Sequence, residues 1–251
     1  DDDQLRFNLA VIEQSLNLNE DAKANYLFLI KNNKNLKAMI NLYLLNIKED
    51  NFSEALLLIN KVININNNLD NLMMDKAFVL YKLKKYDESI NICKDFLNKK
   101  TDINCMNILG LNYFSTNDFD KAENILKKAL SIDKNSHVIL NSLGRIYHEK
   151  RDSNNAEKYL SKAYSIKSDS YEIINNLAGF YREEGKYNKS IELYNNALKL
   201  NPKNPSIINN LAKAYFDIDN FDMAEKYSLQ ALNLHMKDGN IQKILSLIYL
   251  R

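Results

Sequence analysis

Asparagine recurs at an interval of 34 residues between positions 107 and 209 of the chain. The row comprises Asn107, Asn141, Asn175 and Asn209, and Asn176 and Asn210 directly follow its last two members. An amide side chain carries both hydrogen-bond donors and an acceptor. An evenly spaced row could therefore bond the backbone of an extended peptide without selecting its side chains. Codon bias is the alternative explanation, because asparagine is frequent throughout the sequence.

Basic and aromatic residues stand close to this row when the chain is placed on a helical period. They are Arg145, Arg182, Lys213, His148, Phe114 and Phe216. Cationic side chains bond carboxylates, and aromatic rings stack on other rings and on cations. These residues predict a groove that favours acidic or aromatic-containing segments, and an ordinary solvated surface is the alternative.

The sequence lacks the arrangements typical of catalysis or metal binding. His137, His148 and His235 fall at unrelated places, and no Cys or carboxylate stands at ligand spacing from them. Cys93 and Cys105 are expected to be a reduced pair in a packed interface, as in a cytosolic protein. Neither a glycine-rich phosphate loop nor a nucleophile elbow occurs. We therefore expect no metal, no cofactor and no enzymatic activity.

Composition indicates a helical chain without a polyanionic or membrane partner. Only 5 Gly and 2 Pro occur in 251 residues, which is too little turn chemistry for a protein of many strands. The formal net charge is +2, so no nucleic-acid partner is predicted, and no apolar run is long enough for membrane insertion. A cytoplasmic location is expected. The first residue is Asp1 and not Met, so a removed N-terminal targeting segment stays an open alternative.

An internal period of 34 residues organises the chain from residue 36 onward. Six units follow one another at 36–69, 70–102, 103–136, 137–170, 171–204 and 205–238. Residues 1–35 are expected to form a divergent helical hairpin, and 239–251 to start a further repeat or a capping helix. The eighth residue is small in five of the six units and the twentieth is small in all six. Small residues at both places allow two antiparallel helices to approach closely.

This pattern resembles the tetratricopeptide repeat (TPR) family. In unit 171–204 it comprises Asn176-Leu177-Ala178, Tyr181, Gly185-Lys186-Tyr187, Ser190, Ala197 and Pro202. The resemblance implies an all-α, right-handed α-solenoid of stacked antiparallel hairpins, a TPR superhelix with its concave wall made mainly by the first helix of each hairpin. It also implies a protein-interaction scaffold that binds a peptide or an extended partner segment in this groove.

Two other functions stay open at the level of sequence. The repeats could be the recognition arm of a larger glycosyltransferase or sulfotransferase, because the asparagine row resembles that of a glycosyltransferase superhelix and because 239–251 breaks off inside a repeat. Self-association through exposed end helices is the second. The sequence does not identify the partner.

Overall fold

The computed structural model describes residues 2–65, 70–234 and 239–250, and these residues form fifteen α-helices and no strand. The predicted all-α fold is confirmed. Two compact units divide the chain, Asp1–Ile125 and Leu126–Arg251. The predicted unit boundaries after residues 69 and 238, and His235, lie outside the described residues.

The first unit contains seven helices and the start of an eighth. They are α1 (Asp2–Ser15), α2 (Asn19–Asn33), α3 (Leu36–Lys48), α4 (Phe52–Ile65), α5 (Asp70–Lys82), α6 (Tyr86–Leu97), α7 (Ile103–Ser115) and α8 (Phe119–Ile132). Consecutive helices contact one another as antiparallel hairpins. Large side chains such as Tyr26, Leu45 and Ile59 are fully buried between them.

The second unit begins within α8 and continues through seven more helices. They are α9 (His137–Glu149), α10 (Ser153–Ile166), α11 (Tyr171–Glu183), α12 (Tyr187–Leu200), α13 (Pro205–Asp217), α14 (Phe221–Asn233) and α15 (Gly239–Tyr249). The first helices of its successive hairpins contact one another, α9 with α11, α11 with α13, and α13 with α15. We call the surface formed by these four helices the first-helix face.

Local sequence explains where the helices start. Asn204 accepts hydrogen bonds from the backbone N–H groups of Ser206 and Ile207, and Pro205 takes the first helical position of α13. Asp152 caps α10 in the same way through the N–H of Asn155. Such caps satisfy amides that would otherwise have no partner in the first turn.

The turn inside each hairpin uses left-handed backbone at the same repeat position. Five of these residues have φ between 58° and 61°, namely Asp50, Lys84, Asn117, Arg151 and Asp219. At the equivalent place Gly185 has φ 71°. Glycine is the residue that tolerates this conformation best, yet this chain mostly forms the turn without it, and this accounts for its low glycine content.

A small residue permits the closest approach between helices in the second unit. A Cβ added at Gly144 on α9 would lie 2.5 Å from Cγ of Leu160 on α10. Leu160 itself is buried, so the two helices are in contact there with no room for a methyl group. This is the physical reason for the small eighth residue in this repeat.

Candidate functional site

The asparagine row occupies the first helix of each hairpin, at different depths. Asn107 lies half-buried on α7 in the first unit, and Asn141, Asn175 and Asn209 lie on α9, α11 and α13 in the second. The side chains of Asn141 and Asn209 are only 3% and 2% exposed. Asn141 and Asn209 are therefore buried, and the row as a whole does not face the solvent.

Amide-to-amide hydrogen bonds join neighbouring repeats along this row. Asn176 Nδ2 donates to Asn141 Oδ1 at 2.9 Å, and Asn210 Nδ2 donates to Asn175 Oδ1 at 2.5 Å. Asn141 Nδ2 in turn donates to Glu172 Oε1 at 3.2 Å. These bonds tie α9 to α11 and α11 to α13. Sequence periodicity did not predict these hydrogen bonds between repeats. Binding of a peptide by the row stays a prediction.

Three of the predicted lining residues have contacts within their own unit. Phe114 packs against Phe119, with ring centroids 5.7 Å apart. The imidazole of His148 lies 3.1 Å from a carboxylate oxygen of Glu183 and makes an edge contact with Phe180. Arg145 lies half-buried on α9. These contacts place Arg145 and His148 on the first-helix face, and Phe114 in the first unit.

The other three predicted lining residues come together in one pocket on the first-helix face, with a volume of about 390 Å³. We call it the cationic groove pocket. Its lining comprises Arg182, Lys213, Phe216, Asp217, Lys243, Ile244 and Leu247. The last three residues belong to α15 and were missed by sequence reasoning. Continuing the repeat phase into 239–251 would have placed Lys243 and Leu247 at the same inner positions as the predicted residues.

Positive charge dominates the cationic groove pocket. It holds three cationic side chains and one carboxylate, Asp217, which lies 3.4 Å from the Arg182 guanidinium. Burial raises the pKa of Asp217 above its ordinary value, and the nearby Arg182 opposes that rise. The apolar part of the lining includes Phe216, whose ring packs on Phe221 at 5.7 Å. The pocket can therefore take an anionic group together with an apolar one.

Metal ligands do not cluster in the described part of the chain, where no group of three His, Cys, Asp or Glu side chains could hold an ion. Both thiols, Cys93 and Cys105, are free and buried, and the Cys105 thiol donates to the Cys93 carbonyl at 3.6 Å. Among the helices described, none combines the length and apolar character needed to cross a bilayer.

Sequence comparison identifies repeats between residues 138 and 235 and a further family match before them. A family model described as TPR repeat matches residues 180–219, and two described as tetratricopeptide repeat match 138–170 and 206–235. A model of subunit 3 of the anaphase-promoting complex, or cyclosome, matches 48–138. No curated protein sequence matches the chain significantly.

Solved structures of the same architecture are similar in fold at low sequence identity. A thermophilic TPR protein of Thermus thermophilus is 18% identical with a TM-score of 0.67, covering 72% of this chain and 100% of that one. A tetratricopeptide repeat protein of Parabacteroides merdae is 13% identical with a TM-score of 0.76, covering 98% of each chain. A chain of the APC/C hetero-tetramer Cut9-Hcn1 is 15% identical with a TM-score of 0.75, covering 89% of this chain and 45% of that one. Given the repeat matches and the stacked helical hairpins, this chain belongs to the tetratricopeptide repeat family.

Proposed function

We propose that the chain is a protein-interaction scaffold that binds an acidic segment of a partner protein in the cationic groove pocket. The observation that carries this function is the convergence of Arg182, Lys213 and Phe216 in that pocket. Repeat families of this kind present extended surfaces to partners rather than enclosed catalytic sites.

The chemistry of the lining selects the ligand. Arg182, Lys213 and Lys243 supply donors for carboxylates, and the lining holds one carboxylate, Asp217, which pairs with Arg182. Ile244 and Leu247 add apolar surface beside them. An acidic segment with an apolar or aromatic side chain would therefore satisfy both parts of the pocket.

Bonds between repeats hold this face in position before a ligand arrives. The Arg182 to Asp217 ion pair and the Asn210 to Asn175 hydrogen bond both tie α11 to α13. A face fixed in this way loses less conformational entropy on binding than a mobile one. The asparagine contacts therefore support binding indirectly, through the geometry of the groove.

Isothermal titration with a synthetic peptide of glutamates flanking one phenylalanine tests the function. We expect the Lys213→Glu, Lys243→Glu double variant to bind this peptide about 20-fold more weakly, since each partly exposed charge contact changes affinity by about fivefold. The matched peptide with lysine in place of glutamate should not bind. Higher salt should weaken binding, because exposed charges are screened.

The Lys199→Glu, Lys226→Glu double variant is the matched control, because both residues are exposed lysines on second helices, α12 and α14, that contribute nothing to this pocket. We expect its affinity to stay within about twofold of the unaltered chain. Equal weakening by the control and the Lys213→Glu, Lys243→Glu variant would show that net charge alone is responsible, and the proposed site would then be wrong.

A further inference from the structure

A second pocket in the second unit lies between two second helices, α8 and α10, and has a volume of about 380 Å³. Four lysines line it, Lys127 and Lys134 from α8 and the turn after it, and Lys158 and Lys162 from α10. We call it the lysine pocket. None of the residues of the cationic groove pocket takes part in it.

Three of the four lysines in the pocket have no described carboxylate beside them. No Asp or Glu is present in its lining, and within the described residues none lies within ion-pair distance of Lys134, Lys158 or Lys162. Lys162 Nζ donates to the Lys134 carbonyl at 3.0 Å, and this leaves two of its N–H groups for another acceptor. Cations gathered around one concavity repel each other and attract an anion.

The lysines do not form a continuous row along the stack. At the position of Lys127 the next repeat has Ser161, and at the position of Lys162 the following repeat has Asn196. Single positions recur elsewhere, since the preceding repeats have Lys94 and Lys128 in place of Lys127 and Lys162. The lysine pocket differs from those places in bringing four lysines from two repeats around one concavity.

The floor of the lysine pocket is apolar and rigid. Leu140 is fully buried and Leu130 half-buried. The ring of Tyr159 is stacked on Tyr147 with centroids 5.4 Å apart and planes 2° apart, and the Lys158 ammonium lies 5.5 Å from the Tyr159 centroid. Such a floor fits a flat, apolar group, and the lysines above it fit the anionic end of the same ligand.

We propose that the lysine pocket binds a phosphorylated aromatic side chain of a partner protein. A phosphate monoester carries about −1.5 to −2 charge at neutral pH, which matches several ammonium groups better than one carboxylate does. Lysine binds phosphate as a point charge from any direction. The ring of the ligand lies on the floor of Leu130 and Tyr159, and its phosphate lies among the lysines.

Phenyl phosphate is the probe, compared with phenol and with inorganic phosphate in an NMR titration of the isotope-labelled chain. We expect phenyl phosphate to shift the amide signals of α8 and α10 and to bind more tightly than either half-molecule. The Lys158→Glu, Lys162→Glu double variant should bind it about 20-fold more weakly. Both lysines are exposed, and circular dichroism verifies that the variant keeps its helices.

The matched control is the Lys199→Glu, Lys226→Glu double variant, which changes the net charge equally through exposed lysines on α12 and α14. Its affinity for phenyl phosphate should stay within about twofold of the unaltered chain. Equal weakening by both variants, or inorganic phosphate binding as tightly as phenyl phosphate, would overturn the proposal. Tighter binding of an RNA oligonucleotide to the same lysines would assign the pocket to a nucleic-acid backbone and would overturn it as well.

Discussion

Replacing Gly144 with alanine should destabilise the second unit, although alanine is the better helix former. A Cβ at this position would lie 2.5 Å and 2.7 Å from Cγ and Cδ2 of Leu160, and 3.1 Å from its backbone nitrogen. Leu160 is 1% exposed, so its side chain cannot move aside into solvent. The new methyl group must therefore push α9 and α10 apart or force Leu160 out of its rotamer.

Two opposing free energies determine the size of the effect. Glycine in a helix costs about 1 kcal/mol relative to alanine, so replacing Gly144 with alanine gains that amount from helix propensity. Overpacking a well-packed core costs about 1–3 kcal/mol. We expect Gly144→Ala to lower the free energy of unfolding by about 1 kcal/mol as the net result.

Gly179→Ala isolates the helix-propensity part of this balance. Gly179 also lies inside a first helix, α11, but the nearest atom to an added Cβ is the Tyr194 hydroxyl oxygen at 4.0 Å. That variant should gain about 1 kcal/mol. Urea denaturation followed by far-UV circular dichroism measures both variants. If Gly144→Ala were stabilised as much as Gly179→Ala, the close approach of α9 and α10 would be refuted.

Four further substitutions test other features of the packing. Ser190→Ala should stabilise the fold by about 1 kcal/mol, because the buried Ser190 hydroxyl has no hydrogen-bond partner. Ser89→Ala should destabilise the fold by about as much, because the Ser89 hydroxyl donates to the Ala77 carbonyl at 2.7 Å and accepts from the Asn112 amide at 2.8 Å. The midpoints of urea denaturation distinguish the two variants. Arg151→Gly should stabilise the hairpin of α9 and α10 by about 1 kcal/mol in the same assay, because its φ of 61° strains a side-chain-bearing residue. Tyr43→Phe removes a 2.8 Å hydrogen bond to Asp75 and should cost about 1 kcal/mol at neutral pH. Burial already raises the Asp75 pKa, which Tyr43 opposes. The ionised Asp75 carboxylate therefore costs stability as pH rises through its raised folded pKa. The deficit of the variant should shrink as the pH falls through that pKa and should be smallest below about 4, the ordinary aspartate value. An equal deficit at all pH values would contradict this.

Sequence periodicity predicted the features of the fold that must recur in every repeat. The helical hairpins, the small residues between them and the TPR family all follow from side chains that repeat at one interval, because each repeat must pack against the next with the same geometry. The same phase predicted Arg182, Lys213 and Phe216 as lining residues of a groove, and their role in binding stays a prediction. The transferase alternative and self-association stay predictions.

Residues that depart from the repeat pattern could be explained only from the structure. Tyr43 stands where other repeats have a small residue, and its hydroxyl bonds Asp75 in the next repeat. The lysine pocket was hidden for a related reason. Its lysines come from two repeats and four different repeat positions, so neither the charge of a single unit nor a periodic stripe reveals them.

Periodic and aperiodic polar residues therefore have different physical explanations in this stack. An amide of the asparagine row meets an amide one position out of phase in the neighbouring repeat, as Asn141 meets Asn176, and a buried amide so paired avoids the cost of an unsatisfied polar group. A charged group without such a partner gains nothing from stacking. Lys134 and Lys162 lie at a rim with no described carboxylate at ion-pair distance, and an anion from outside the chain would reduce their mutual repulsion. For that reason we explain the asparagine row by contacts between repeats, and we propose a ligand for the lysine pocket.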